Sequence, residues 1–283
     1  MSGSYDLKTS DTLDLNLSSS GFLLEDLGIR YKENGEPFRG TLKGHVKMML
    51  SGQGEVDTTI SGNIDGEGLF LDLGMFPSPI KECDLGLILS EKKIAIDLWK
   101  MKIGESDIHL RGDLTGWDGL KGAIVVNSDF LNISDILSTE DSSIANDRET
   151  GPDSFIEMLD IDLRLEAVKG LYNKLGWGPL KADLGLRQGD LFIKDTKVNM
   201  EHGFFTAKGY VKKRKAPGLL FSGHISLTDQ PIHELLEIIP IGYKDMKGSL
   251  SMEAFLSMKG KEKKDLIFSL TGTASLSIIL RTL

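Results

Sequence analysis

A single cysteine, Cys83, occurs in 283 residues, so no internal disulfide framework holds this chain together. That leaves the compartment open, because many periplasmic proteins also lack bridges. No run of about 18 apolar residues is present, which excludes a helical membrane span. No charged-then-apolar leader opens the chain either. The strand pattern already running at Tyr5–Leu17, and again at Ser277–Leu283, reads as the two ends of a piece of something longer.

Positive charge is also scarce. Lys and Arg number 33 against 42 Asp and Glu, a formal net charge of -9 with a pI near 5.2. Wrapping a nucleic-acid backbone needs a basic face, so that class is excluded. The five histidines, His45, His109, His202, His224 and His233, are scattered without metal-ligand spacing, and no metal is expected. There is no GxSxG, no P-loop and no GxGxxG in strand-to-helix context. Carboxylates such as Asp160 and Asp162 alternate with apolar residues and read as a solvated face. With no nucleophile, base and orienter to assemble, neither an enzyme nor a cofactor is expected.

What is present is alternation. From Asp183 to Ile239 the chain reads as four strands and a short helix: DLGL, DLFI, FFTAKGYV and LLFSGHISL, then the helix from Asp229 to Pro240. In the last of those strands Leu219, Phe221, Ile225 and Leu227 share one face, while Leu220, Ser222, His224 and Ser226 share the other. The same phrase runs from Asp84 to Leu137, with Gly86, Gly112 and Gly122 answering Gly185, Gly209 and Gly223 about one hundred residues later. A third, partial register lays Gly40–Gly52 on Gly248–Gly260. Repetition of a strand unit points to an array or extended sheet rather than a compact enzyme.

Between these repeats the reading is local. Phe22–Tyr31 reads as a strand followed by a turn at Glu33–Gly35, and Trp177–Pro179 reads as a turn. Apolar parity switches between Leu98 and Trp99, which predicts a β-bulge. Thr139–Asp153 is a polar insert expected to be a surface loop. Ser154–Leu159 and Ala167–Leu175 are helix candidates, and Lys261–Asp265 is a charged turn before a last pair of strands beginning at Leu266. The expected organisation is 1–138, a loop over 139–153, and 154–283.

About sixteen strands with roughly three inward apolar residues each leave on the order of 100 kcal/mol of apolar surface to be covered. Amphipathic helices are too few to cover it. The sheet must fold on itself, coil into a closed solenoid, or curl into a trough whose lining meets an apolar ligand.

The rhythm of Gly189–Val211, the strand-to-helix closure LLFSGHISLTDQPIHELL and the ending MKGSLSMEAFLSMKGKEKKDLIFSLTGTASLSI resemble the C-terminal region of AsmA-family proteins. The resemblance is best from Ile156 to the end and again over Asp84–Leu137. It implies an elongated, curled antiparallel sheet, an open β-groove of repeated strand modules with short helices. It also implies a periplasmic location, an inner-membrane anchor that this sequence lacks, and phospholipid transport between inner and outer membranes in support of outer-membrane biogenesis. The family brings no catalytic residues.

On that reading the groove-lining candidates are Leu85, Leu87, Ile94, Ile96, Ile108, Leu110, Leu163, Leu165, Phe221, Ile225 and Leu227. The basic cluster Lys212, Lys213, Arg214 and Lys215 is the candidate for headgroup contact, against the plainer reading of a solvated hairpin tip. The expected partners are phospholipid or another acyl-chain lipid, the membrane through the missing anchor, and envelope assembly proteins. The alternative is a non-enzymatic β-repeat protein, a self-packed assembly scaffold or adhesin-like solenoid.

Overall fold

Period-2 alternation becomes strand wherever a neighbouring strand offers its backbone groups as partners. The computed structural model describes residues 12–31, 35–51, 57–74, 76–116, 119–137, 157–173, 175–214, 218–232, 248–260 and 263–280. Fourteen strands form one sheet whose hydrogen-bonding order is the chain order. They are β1 (Thr12–Leu23), β2 (Arg39–Ser51), β3 (Asp57–Leu71), β4 (Ile80–Ser90), β5 (Lys93–Ile103), β6 (Ser106–Thr115) and β7 (Lys121–Asn132). The series continues with β8 (Asp160–Tyr172), β9 (Leu175–Arg187), β10 (Asp190–Met200), β11 (Phe204–Arg214), β12 (Gly218–Pro231), β13 (Gly248–Gly260) and β14 (Thr271–Leu280). The pairings from β1 to β6 and from β8 to β14 are antiparallel, while the sheet as a whole is mixed and is not closed into a barrel. The helices are short: α1 (Ile133–Ile136) and α2 (Lys263–Phe268). The fold is therefore mainly β, as the alternation predicts.

The chain divides into two units, residues 1–126 with 135–140, and residues 127–134 with 141–283. In the first unit a cluster of Leu24, Leu69, Ile80, Cys83, Met101, Ile103 and Ile108 is buried at one end of the sheet. Phe22, Phe38, Trp99 and Ile136 pack against it. In the second unit the buried side chains Ile161, Ala167, Trp177, Leu180 and Ala182 concentrate on β8 and β9. Reversals are tight: Gln188 and Gly189, at φ 51 and 84, form the two-residue link between β9 and β10 that matches the strand twist.

The predicted bulge is present. The β5–β6 register slips between Ile96 and Trp99, and that of β4–β5 slips between Gly86 and Leu87. After the slip Trp99 and Met101 share a face with Ile94 and Ile96, which explains the parity switch in the sequence.

Five local readings are corrected. Phe22–Tyr31 is no separate strand: after β1 the chain makes a 3-10 turn at Leu24–Leu27, closed by Gly28 at φ 63, because Leu24 is drawn into the core. The residues from Leu266 do not begin a strand. Lys263–Phe268 is α2, with an acidic residue in its first turn, and Ser269 Oγ ties its end to the backbone of Lys259. Ala167–Tyr172 is the end of β8 rather than helix, and Tyr172 pairs with Leu175 at the start of β9. The reversal there includes Asn173, at φ 57, rather than Trp177–Pro179, which lie inside β9. Two of the roughly sixteen expected strands are thus a turn and a helix. Asp229–Pro231, expected to open a helix, instead end β12, where Gln230 and Pro231 pair with Leu250 and Ser249. The segments Thr139–Asp153 and Glu33–Asn34 lie outside the described residues, as do Ser154–Ile156 of the helix candidate Ser154–Leu159 and the rest of the helix expected before Pro240 beyond Ile232.

Candidate functional site

Each unit presents one apolar face and one charged face, and strand register decides which side chain goes where. In the first unit Leu85 stands opposite Trp99, which in turn faces Leu110. Leu87 faces Ile96, Leu89 faces Ile94, and Met101 faces Ile108. All six lining candidates of this unit therefore share one face. Ile108 belongs to the buried cluster at its end.

In the second unit Leu163 and Leu165 lie opposite Leu184 and Ala182 on β9. Leu184 in turn faces Ile193. Phe221, Ile225 and Leu227 meet Val211, Ala207 and Phe205 on one side, and Met258, Ala254 and Met252 on the other. The five candidates of this unit also share one face, which runs from β8 to Leu276 and Ile278 on β14. Parity within single strands missed the residues between them, above all Leu180, Leu184 and Ile193. Cross-strand partners reveal these only once the register is fixed.

Burial along this face is graded. Ile161, Ala167, Leu180 and Ala182 are buried, and Leu163, Leu165, Phe221 and Ile225 are half-buried. Leu276 is 58 % exposed. Among the described residues of this unit, the one further helix of more than one turn is α2, whose Phe268 is 87 % exposed. The described helices thus give the apolar face no second layer.

Neighbouring backbone comes close on this face. A Cβ at Gly209, an inward position between Ile193 and Gly223, would overlap the Ser222 carbonyl oxygen. In the first unit a Cβ at Gly112, opposite Ile96, would overlap that of Ala123. Glycine is the residue that permits so close an approach of another backbone.

The opposite faces are charged and paired. Arg187 binds Asp160 at 2.7 Å and also binds Asp162, which accepts a further bond from Lys194 at 2.7 Å. These hydrogen bonds, that from Lys194 foremost, hold the Asp162 carboxyl below its usual range. Arg164–Asp183 and Lys208–Asp195 continue the network. His224 Nε2 lies 2.9 Å from Glu253 Oε1, and its ring stacks on Phe255 at 4.3 Å. Of the basic cluster, Lys212 lies on this charged face, over Tyr210 and Phe192. The side chains of Lys213 and Arg214, and all of Lys215, lie outside the described residues.

Cys83 is buried beside Trp99 and Asp84. Burial pushes its thiol up, the Trp99 indole opposes this, and the Asp84 charge adds to it. Among the described residues no group of three or more His, Cys, Asp or Glu is placed to hold a metal ion. No described helix is long and apolar enough to cross a membrane. Comparison with protein-family models, curated proteins and solved structures gives no match.

Proposed function

We propose that this chain is a groove-forming segment of an AsmA-like envelope protein that carries acyl chains on the apolar face of its sheet. The observation that carries the reading is the apolar face of β8–β14, continuous across seven strands and half-buried at Leu163, Leu165, Phe221 and Ile225. Monomers ordinarily leave no more than a few hundred square ångströms of contiguous apolar patch to water, so an apolar face that spans seven strands calls for a cover. A flexible hydrocarbon chain covers it without directional contacts, because burial is proportional to area and makes no demand on orientation. The charged opposite face stays in water.

The mechanism is passive. An acyl chain shifted by one strand exchanges one set of Leu, Ile, Phe and Met contacts for a similar set, so each step is close to isoenergetic. The headgroup remains at the open side. In the envelope this activity corresponds to movement of phospholipid between inner and outer membranes, from a periplasmic position.

Titration with an acyl chain bearing an environment-sensitive fluorophore tests this. Saturable uptake is expected, with loss in Leu165→Asp and Ile225→Asp variants that keep their β-sheet circular dichroism. A second reading, the self-packed scaffold, is favoured by the buried cluster around Ile103 and Cys83 in the first unit. It predicts no uptake, and unfolding of both variants by a buried unpaired charge.

A further inference from the structure

The charged face of the second unit holds a feature that acyl-chain binding does not use. On β8 and β9 its charges cancel in pairs, as in Arg164–Asp183 and Arg187–Asp160. On β10, β11 and β13 pairing is incomplete: Lys194, Lys208 and Glu253 have partners in Asp162, Asp195 and His224, and three lysines are left over. Lys197, Lys212 and Lys259 make no ion pair among the described residues. Register puts Lys212 and Lys259 in one row, on either side of Leu220, and Lys197 on the same face.

Aromatic rings are interleaved with these lysines. Lys212 Nζ lies 5.0 Å from the Tyr210 centroid and 5.6 Å from that of Phe192, and Lys197 Nζ lies 5.2 Å from that of Phe204. One row over, Phe255 is 55 % exposed. In a chain of net charge -9, this is a local surplus of cations set among rings.

We propose that this face of β10–β13 is a docking surface for an anionic lipid bilayer. Lysines offer ammonium groups to lipid phosphates on flexible stems, while rings of this kind settle at headgroup depth. A broad sheet face meets a plane of headgroups over many contacts at once. Single-stranded nucleic acid fits less well, because Tyr210, Phe192 and Phe204 already carry a lysine over the ring and Phe255 carries His224, where a base would stack. The proposal is independent of the acyl-chain reading, since it uses the opposite face.

The test is co-sedimentation of the full chain with vesicles of phosphatidylcholine alone, and with vesicles that also contain phosphatidylglycerol, at low and high salt. Binding is expected to the phosphatidylglycerol vesicles and to fall with salt. Each lysine near such a surface is worth about five-fold in partitioning, so Lys197→Gln with Lys212→Gln should weaken binding about thirty-fold. Both side chains sit on the solvated face, and circular dichroism verifies the fold. Phe255→Ser should weaken binding further, whereas Lys93→Gln, which removes a lysine paired with Asp113 in the other unit, should leave it unchanged. Equal binding to both vesicle types, an unaffected double lysine variant, or an equal loss caused by Lys93→Gln would each overturn the proposal. So would displacement of the vesicles by single-stranded polyuridine.

Discussion

Ser106, fully buried at the start of β6, donates its hydroxyl to Asp135 Oδ2 at 3.0 Å. The same carboxylate oxygen accepts the backbone N–H groups of Ser106 at 3.1 Å and Glu105 at 2.8 Å. One side chain at α1 thereby satisfies three donors at the β5–β6 turn, beside the buried Ile103. Removing the acceptor leaves buried donors without it, a loss of about 1–3 kcal/mol. Asp135→Ala should lower the denaturation midpoint by that loss divided by the slope, with the slope itself unchanged. An unchanged midpoint would show that water replaces the carboxylate at no cost.

Asp162 gives the acid limb of stability a definite sign. Its folded-state pKa lies below the unfolded value because Lys194 and Arg187 hydrogen-bond the charged form. The contribution is therefore fully present above the unfolded carboxylate range, near about 4, and is lost as pH falls through the lower folded value. The side chain is 53 % exposed, so solvent screening keeps the effect below about 1 kcal/mol. Asp162→Asn should cost that small amount at neutral pH and nothing at strongly acid pH, and the difference should shrink in high salt. Chemical denaturation at several pH values and two ionic strengths measures it.

The close approach of backbones on the apolar face rests on glycine. Gly209→Val should destabilise by about 1–3 kcal/mol or more, since its side chain meets the Ser222 carbonyl, which is backbone and cannot swing away. Gly176 has nothing within 4 Å of a built Cβ, so Gly176→Ala should be neutral or slightly stabilising. Similar losses at both positions in thermal denaturation would contradict the close approach.

How far the sequence carries is seen in particular residues. The alternation in β8 and β12 places Leu163, Leu165, Phe221, Ile225 and Leu227 on one face, and the switch at Leu98–Trp99 marks a real bulge. These are legible because side-chain direction in a strand depends on residue parity alone. The fate of Ala167–Tyr172 is not legible: a β9 partner holds this segment extended, and Gly170 makes room for the Trp177 ring. The 3-10 turn at Leu24–Leu27 and the helix α2 are likewise set by what Leu24 and Ser269 touch. Parity also cannot say that Lys212 sits over Tyr210 on the charged face, because the cross-strand register decides its surroundings. The candidate site was thus readable as a face, and its partners were not.

The most direct test of the acyl-chain reading is native mass spectrometry with lipid extraction, on protein purified from the envelope of a bacterial host. The account predicts stoichiometric copurified phospholipid, which the Ile225→Asp variant loses while remaining folded. A wild-type protein that is stable, monodisperse and free of lipid would contradict it and favour the self-packed scaffold.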